Sequence, residues 1–283
     1  MAKLWWVLLV LLLTGCGSGQ EARERELEAT DPLLIVDGVE IPAWRYLAFL
    51  ECELAESEET PDEAEYAAAG ARAVSDVLVY IAVENMAAEY GLVLTEEDTA
   101  ALTTGHWEDL PETQWRELAR TEALYSKLCA LEFPPETLSH FAAEKNYRTV
   151  DRLLIPAGEE AEKQAAELFS RLNGGGYEVF SAAKAQWGDS AAPYTFASGA
   201  GILPQELEEA ALVLAPGQLS GILETEEGLS VLYCLETDIS EIRIPWLDEN
   251  LLRRAAEMEV TAAEGYRTAN IYAKLSSVYG KSA

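Results

Sequence analysis

The chain has 283 residues, 49% apolar and 25% charged, which are globular values and enough material for one large or two moderate domains. Its 50 acidic and 20 basic side chains leave a net charge of −30. Such a surface repels nucleic acid and anionic bilayers, so neither is expected as a partner held by charge.

The N-terminus opens with a short basic stretch, Met1-Ala-Lys3, then an unbroken apolar run from Leu4 to Leu13, then Leu13-Thr-Gly-Cys16. A run of that length is too short for ~30 Å of hydrocarbon at about 1.5 Å per residue, so it reads as an export signal, residues 1–15, cut before Cys16. The pattern resembles the lipobox of bacterial lipoproteins. That resemblance implies a diacylglycerol on Cys16 and an extracytoplasmic protein anchored in a bacterial cell membrane; an ordinary secretory signal is the alternative. Residues 16–31 are small, then strongly charged, and suit a flexible spacer. No later uninterrupted apolar run approaches 18 residues, so no further span is expected.

Folding is expected to begin at Leu33-Leu-Ile-Val-Asp-Gly-Val-Glu-Ile41, two short apolar runs about Asp37-Gly38, a tight hairpin turn. A helix from Pro42 to about Glu56 follows, then an acidic loop to Glu65. Val74, Val77, Leu78, Ile81 and Met86 mark a long helix over 64–90. Thr95 and Asp98 form a capping-box pattern opening the next helix. Further helices are expected at Glu112–Leu131 and Glu136–Lys145, separated by Pro134-Pro135. From Tyr147 to Glu236 a mixed unit follows. It holds an apolar run over 150–155, two helical blocks, a Gly/Ser/Ala/Pro loop, another helix and two strands ending at Leu229-Ser-Val-Leu-Tyr-Cys-Leu235. Trp246 to Tyr279, with Gly265 its one glycine before Tyr279, reads as a closing helix of ~50 Å. Beyond Cys16, the odd set Cys52, Cys129 and Cys234 reads as buried thiols, with a single bridge among them as the alternative.

The mixed unit resembles a parvulin-type prolyl isomerase domain. Tyr177-Glu-Val-Phe180-Ser-Ala-Ala183 is similar to that family's Gly-x-x-Phe-x-x-Leu-Ala helix. Leu203-Pro-Gln-Glu-Leu207 through Leu214-Ala-Pro-Gly217-Gln-Leu-Ser220 is similar to its most recognisable line, and Thr225-Glu-Glu-Gly228 to its final turn. With the hairpin, Ala88-Glu-Tyr-Gly91-Leu-Val-Leu and Leu138-Ser-His-Phe-Ala-Ala-Glu-Lys-Asn-Tyr147, the whole resembles the PrsA and SurA class of extracytoplasmic foldases. The resemblance implies an α+β chain. Residues 32–146 and a C-terminal helix over 238–283 would build a helical chaperone domain, with a parvulin-like domain inserted at 147–237: a small antiparallel sheet packed with helices.

Carried over by position, the two site histidines of that family fall on Arg152 and Ser230, and its Cys/Asp position on Ser190, or on Asp189 if the loop shifts by one. Leu203 and Leu207 map to the apolar floor, Thr225 to the retained threonine, and Trp187 to an aromatic rim. The chain's histidines, His106 and His140, lie outside the block. The degenerate catalytic set is therefore Arg152, Ser190 and Ser230, with Trp187, Asp189, Leu203, Leu207 and Thr225 binding a prolyl peptide. No cofactor and no metal site is expected: two distant histidines and no thiolate cluster make no zinc site. The expected partners are unfolded or exported proline-containing polypeptides, and the family makes a homodimer a further expectation. Three readings stay open: a foldase catalysing X-Pro isomerisation, a silent parvulin-fold peptide-binding chaperone, and an envelope scaffold lipoprotein.

Overall fold

A computed structural model describes residues 28–55, 61–187 and 191–263, so the expected signal segment, Cys16, most of the expected spacer, Asp189 and Ser190 lie outside the described residues. The described residues mix helices with two small antiparallel sheets, and the chain divides into two compact units. The first runs to Leu131 and resumes at Leu247; the second is Glu132–Trp246.

In the first unit β1 (Pro32–Val36) and β2 (Val39–Pro42) form the expected hairpin. Asp37 and Gly38 both have positive φ, 50° and 82°, as a two-residue turn matched to strand twist requires. The other edge of β1 pairs with β7 (Val260–Ala262), Leu34 opposite Ala262 and Val36 opposite Val260. This corrects the expected closing helix. The last helix among the described residues, α9, is Arg243–Glu257, and the chain then turns extended. Glu259 N donates to Asp37 Oδ1 at 2.8 Å, and Asp37 N returns a bond to Glu259 O at 2.9 Å. Both satisfy backbone groups that a continuing helix would have left to other partners. Residues 264–283, the rest of the expected helix, lie outside the described residues.

α1 (Ala43–Ala55) buries Tyr46, Phe49 and Leu50, and α2 (Glu63–Glu89) packs against it. α2 is capped by a reciprocal box in which Asp62 accepts from Glu65 N and Glu65 accepts from Asp62 N. By length and composition Ala64–Glu89 is apolar enough to cross a membrane. The apolar-run criterion passed over it because Arg72, Asp76 and Glu84 interrupt the pattern. In this unit it buries Ala73, Val77 and Ala82 as a core helix. The short α3 (Glu96–Ala100) carries the expected capping box, with Thr95 Oγ1 accepting from Asp98 N at 3.1 Å. α4 (Glu112–Cys129) completes the helical layer. Glu84 ties three helices together: it accepts from Arg45 Nη2 and from Thr121 Oγ1, both at 2.7 Å.

In the second unit α5 (Pro135–Glu144) precedes β3 (Arg148–Pro156). Then come α6 (Ala161–Leu172), α7 (Gly176–Gln186), β4 (Tyr194–Phe196), α8 (Gln205–Leu212), β5 (Leu223–Thr225) and β6 (Gly228–Leu235). A short 3₁₀ helix, Ile239–Ile242, closes it. The sheet order is β4-β3-β6-β5, antiparallel throughout. β4 sits inside the expected Gly/Ser/Ala/Pro loop, which is therefore partly strand. Both sheet faces are covered. Leu153, Ile155, Val231 and Tyr233 pack on α6 and α7, while Val150, Leu232 and Cys234 pack on Phe196 and α8. The turn between β5 and β6 demands Gly228: a Cβ there would lie 2.3 Å from Ile155 O.

Cys234 is buried, but Cys52 and Cys129 are only half-buried, so the reading of three buried thiols holds for one; all three are free. Burial, ahead of nearby carboxylates, pushes the Cys52 thiol up. The same half-buried region raises Asp76 to about 6, first through burial and then through Glu53, with Arg72 opposing. An acid raised in the folded state favours folding below its unfolded value near 4, and that contribution is lost as pH climbs through about 6. Asp76→Asn should therefore raise stability at pH 7.5 by on the order of 1 to 2 kcal/mol, discounted for partial exposure, with the gain shrinking by pH 4.5. Urea melts at both pH values check this; an equal gain at the two would contradict it.

Candidate functional site

Alternation along β3 decides the geometry. Arg152 faces the α8 side of the sheet and Asp151 the α6/α7 side. Arg152 pairs in register with Leu232, and Leu154 with Ser230, so Arg152 and Ser230 are diagonal neighbours on one face. Arg152 Nε donates to Ser230 Oγ at 3.1 Å. Arg152 is 9% exposed and Ser230 is fully buried. A guanidinium so placed needs a counter-charge, and Glu227 on the β5–β6 turn supplies one, its Oε2 2.6 Å from Arg152 Nη2. Thr225 Oγ1 donates to Gly228 O at 3.0 Å and pins the same turn.

Leu203 and Leu207 belong to the core cluster that contains Leu232. The face that carries Arg152 and Ser230 is thus the face on which these leucines pack. Leu207 is fully buried, so its part is to support that face from below rather than to touch a ligand. Glu208, also buried, accepts from Ile202 N at 2.7 Å and Leu203 N at 3.2 Å, fixing the turn that delivers Leu203. Trp187 caps the C-terminus of α7, its ring exposed. Asp189 and Ser190 follow it outside the described residues, so the structure brings together Arg152 and Ser230 of the degenerate trio. His106 and His140 are exposed side chains of other elements.

The opposite face holds a buried polar cluster that sequence reading missed. Asp151 is 2% exposed and Lys184 4%; they form an ion pair, and Tyr177 Oη donates to Asp151 Oδ2 at 3.0 Å. Burial, then the bond to Asp151, pushes the Tyr177 phenol up and keeps it the donor. Lys184 Nζ also donates to Ala191 O at 2.5 Å, so the same ammonium ties α7 to the chain at Ala191. A sequence signal existed, an acid inside an apolar strand run and a lysine on the apolar side of an amphipathic helix. Their sequence separation of 33 hides the pairing. Among the described residues no group of three or more His, Cys, Asp or Glu is placed to hold a metal.

No family model and no curated protein matches the chain. Among solved structures it is similar to the peptidylprolyl isomerase PrsA of Bacillus cereus, at 15% identity over 81% of this chain and 87% of that one, TM-score 0.27. It is also similar to PrsA of Bacillus subtilis, at 13% identity over 83% and 88%, TM-score 0.26. A SurA-like chaperone of Campylobacter jejuni is similar at 10% identity over 82% and 99%, TM-score 0.27. At such values likeness assigns no function, and the chain's own residues must do so.

Lys184→Met should cost ~3 to 5 kcal/mol in urea denaturation, because it strands a buried carboxylate. Adding Asp151→Leu should restore most of that loss; a double variant no better than the single one would show that the cluster is not coupled in this way.

Proposed function

We propose that this chain is a membrane-anchored extracytoplasmic foldase that binds unfolded exported polypeptides, with proline-containing segments held on the Arg152 face of the second unit. The observation that carries the reading is the Arg152–Ser230 pair, buried on a sheet face beside the leucines that family position assigned to a prolyl floor. The signal pattern and Cys16 supply the anchor, through an attached diacylglycerol. The resemblance assigns Trp187, Asp189 and Ser190 to the rim of the same cradle, and Thr225 holds its final turn.

X-Pro rotation breaks no bond. It faces a barrier of ~20 kcal/mol, and reaching milliseconds requires roughly 10³ to 10⁴-fold, or ~4 to 5.5 kcal/mol. A dry surface favours the twisted, less polar imide, and a donor aimed at the rotating carbonyl adds electrostatic stabilisation. Arg152 is that donor here. Ser230 accepts from its Nε and fixes the guanidinium plane, while Glu227, on an exposed turn, exchanges with the incoming peptide carbonyl at Nη2.

A second reading, a silent cradle that only binds, is favoured by the Glu227 contact that occupies Arg152. One pair of assays separates the two. In a protease-free prolyl peptide assay, the foldase reading expects a rate above buffer that falls at least tenfold in Arg152→Met. A rate equal to buffer, with aggregation of a reduced, unfolded client still suppressed, selects the silent cradle. Failure of both at molar excess selects an envelope scaffold.

A further inference from the structure

The first unit contains a groove that the site described above does not use. It is a cavity of about 460 Å³ between α2, α4 and α9, within the ~300–1,000 Å³ range of ligand pockets. Its apolar lining is Val79, Val83, Leu251 and Leu252, of which Val83 and Leu251 are buried and Leu252 is 55% exposed, and its other sides include Tyr80 and Tyr125. The charged side chains lining it are both carboxylates, Glu122 and Asp248.

Neither carboxylate is a loose surface acid. Glu122 Oε1 accepts from Tyr80 Oη at 2.9 Å and from Trp107 Nε1 at 2.8 Å, and the exposed His106 Nε2 lies 3.9 Å from the same oxygen. Asp248 Oδ1 accepts from Tyr125 Oη at 2.6 Å. The two tyrosine protons are committed to these bonds, so both carboxylates are held in place at the groove. On the same helices Lys127 is paired with Asp98 at 2.8 Å and Arg254 with Glu89 through two bonds of 2.8 and 2.9 Å, so neither pair leaves its cation for the groove. The net charge of −30 adds a long-range field of the same sign.

We propose that this groove binds extended polypeptide segments in which an apolar side chain neighbours a lysine or arginine. The apolar side chain lies along the exposed Leu252. The cation meets Glu122 and Asp248. Acidic segments are turned away, which gives the unfolded-chain binding proposed above a charge preference. The inference rests on that reading, because an extended polypeptide is the occupant it presupposes.

The test uses the full-length chain and two fluorescein-labelled peptides, each a leucine-rich extended sequence, one with lysines flanking the leucines and one with glutamates. Fluorescence anisotropy should show at least tenfold tighter binding of the lysine peptide. That ratio should fall toward one in the double variant Glu122→Gln, Asp248→Asn. It should fall equally in Leu252→Lys, whose exposed position leaves folding intact, as circular dichroism verifies. A preference that survives in Leu252→Lys, in a protein that still suppresses aggregation of a reduced, unfolded client, overturns the groove and leaves the function reading standing. A wild-type chain that binds neither peptide and suppresses no aggregation overturns both.

Discussion

Two adjacent residues of opposite charge, Asp151 and Arg152, sit in the buried middle of β3, and the second unit is organised around neutralising them. Strand alternation sends them to opposite faces, so they do not neutralise each other locally. Each face must supply a partner, because an unpaired buried charge costs several kcal/mol. On one side α7 brings Lys184 and Tyr177; on the other the β5–β6 turn brings Glu227 and β6 brings Ser230. The eight-pair β3–β6 ladder sets both arrangements through its register. A slip of one residue would exchange the faces and leave both charges among apolar side chains. The structural ion pair and the candidate site are therefore two consequences of one register.

The first unit uses its excess of acid in a related way. Glu84, Glu122 and Asp248 each take hydrogen bonds from Thr, Tyr, Trp or Arg side chains of other segments. Carboxylates accept without needing a proton, so one acid can join several donors, as Glu84 does for α1, α2 and α4. The remaining acids lie mostly on exposed faces, where they keep the surface soluble and bias it toward basic ligands.

What could be read in advance was local. Asp37-Gly38 announces a turn because both positions need positive φ, and Thr95 with Asp98 announces a helix start because the two side chains close their own bonds. The long apolar runs of β3 and β6 follow from burial on both faces. What could not be read depended on distant pairing. Val260-Thr-Ala262 continues a helical apolar rhythm, and it becomes a strand only because β1, more than 220 residues earlier, offers an edge and Asp37 a cap. β4 is three residues in a stretch of small ones, recognisable only beside β3. At the site, family position selected Arg152 and Ser230, and their contact follows from the diagonal of the ladder. The same positions carried no hint of Asp151, Lys184 or the Glu227 contact, which arise from where α7 and the last turn fold.

The central claim is that the Arg152 face of the sheet receives a polypeptide. The Arg152 Hε resonance observes that face directly, since this proton is buried and held by Ser230. Titration of the full-length, nitrogen-15-labelled chain with an unstructured proline-containing peptide should shift this resonance progressively and saturably, with Arg152 Hη signals moving as Glu227 is displaced. An Arg152 Hε signal that stays fixed while the peptide demonstrably binds elsewhere on the chain would contradict the account.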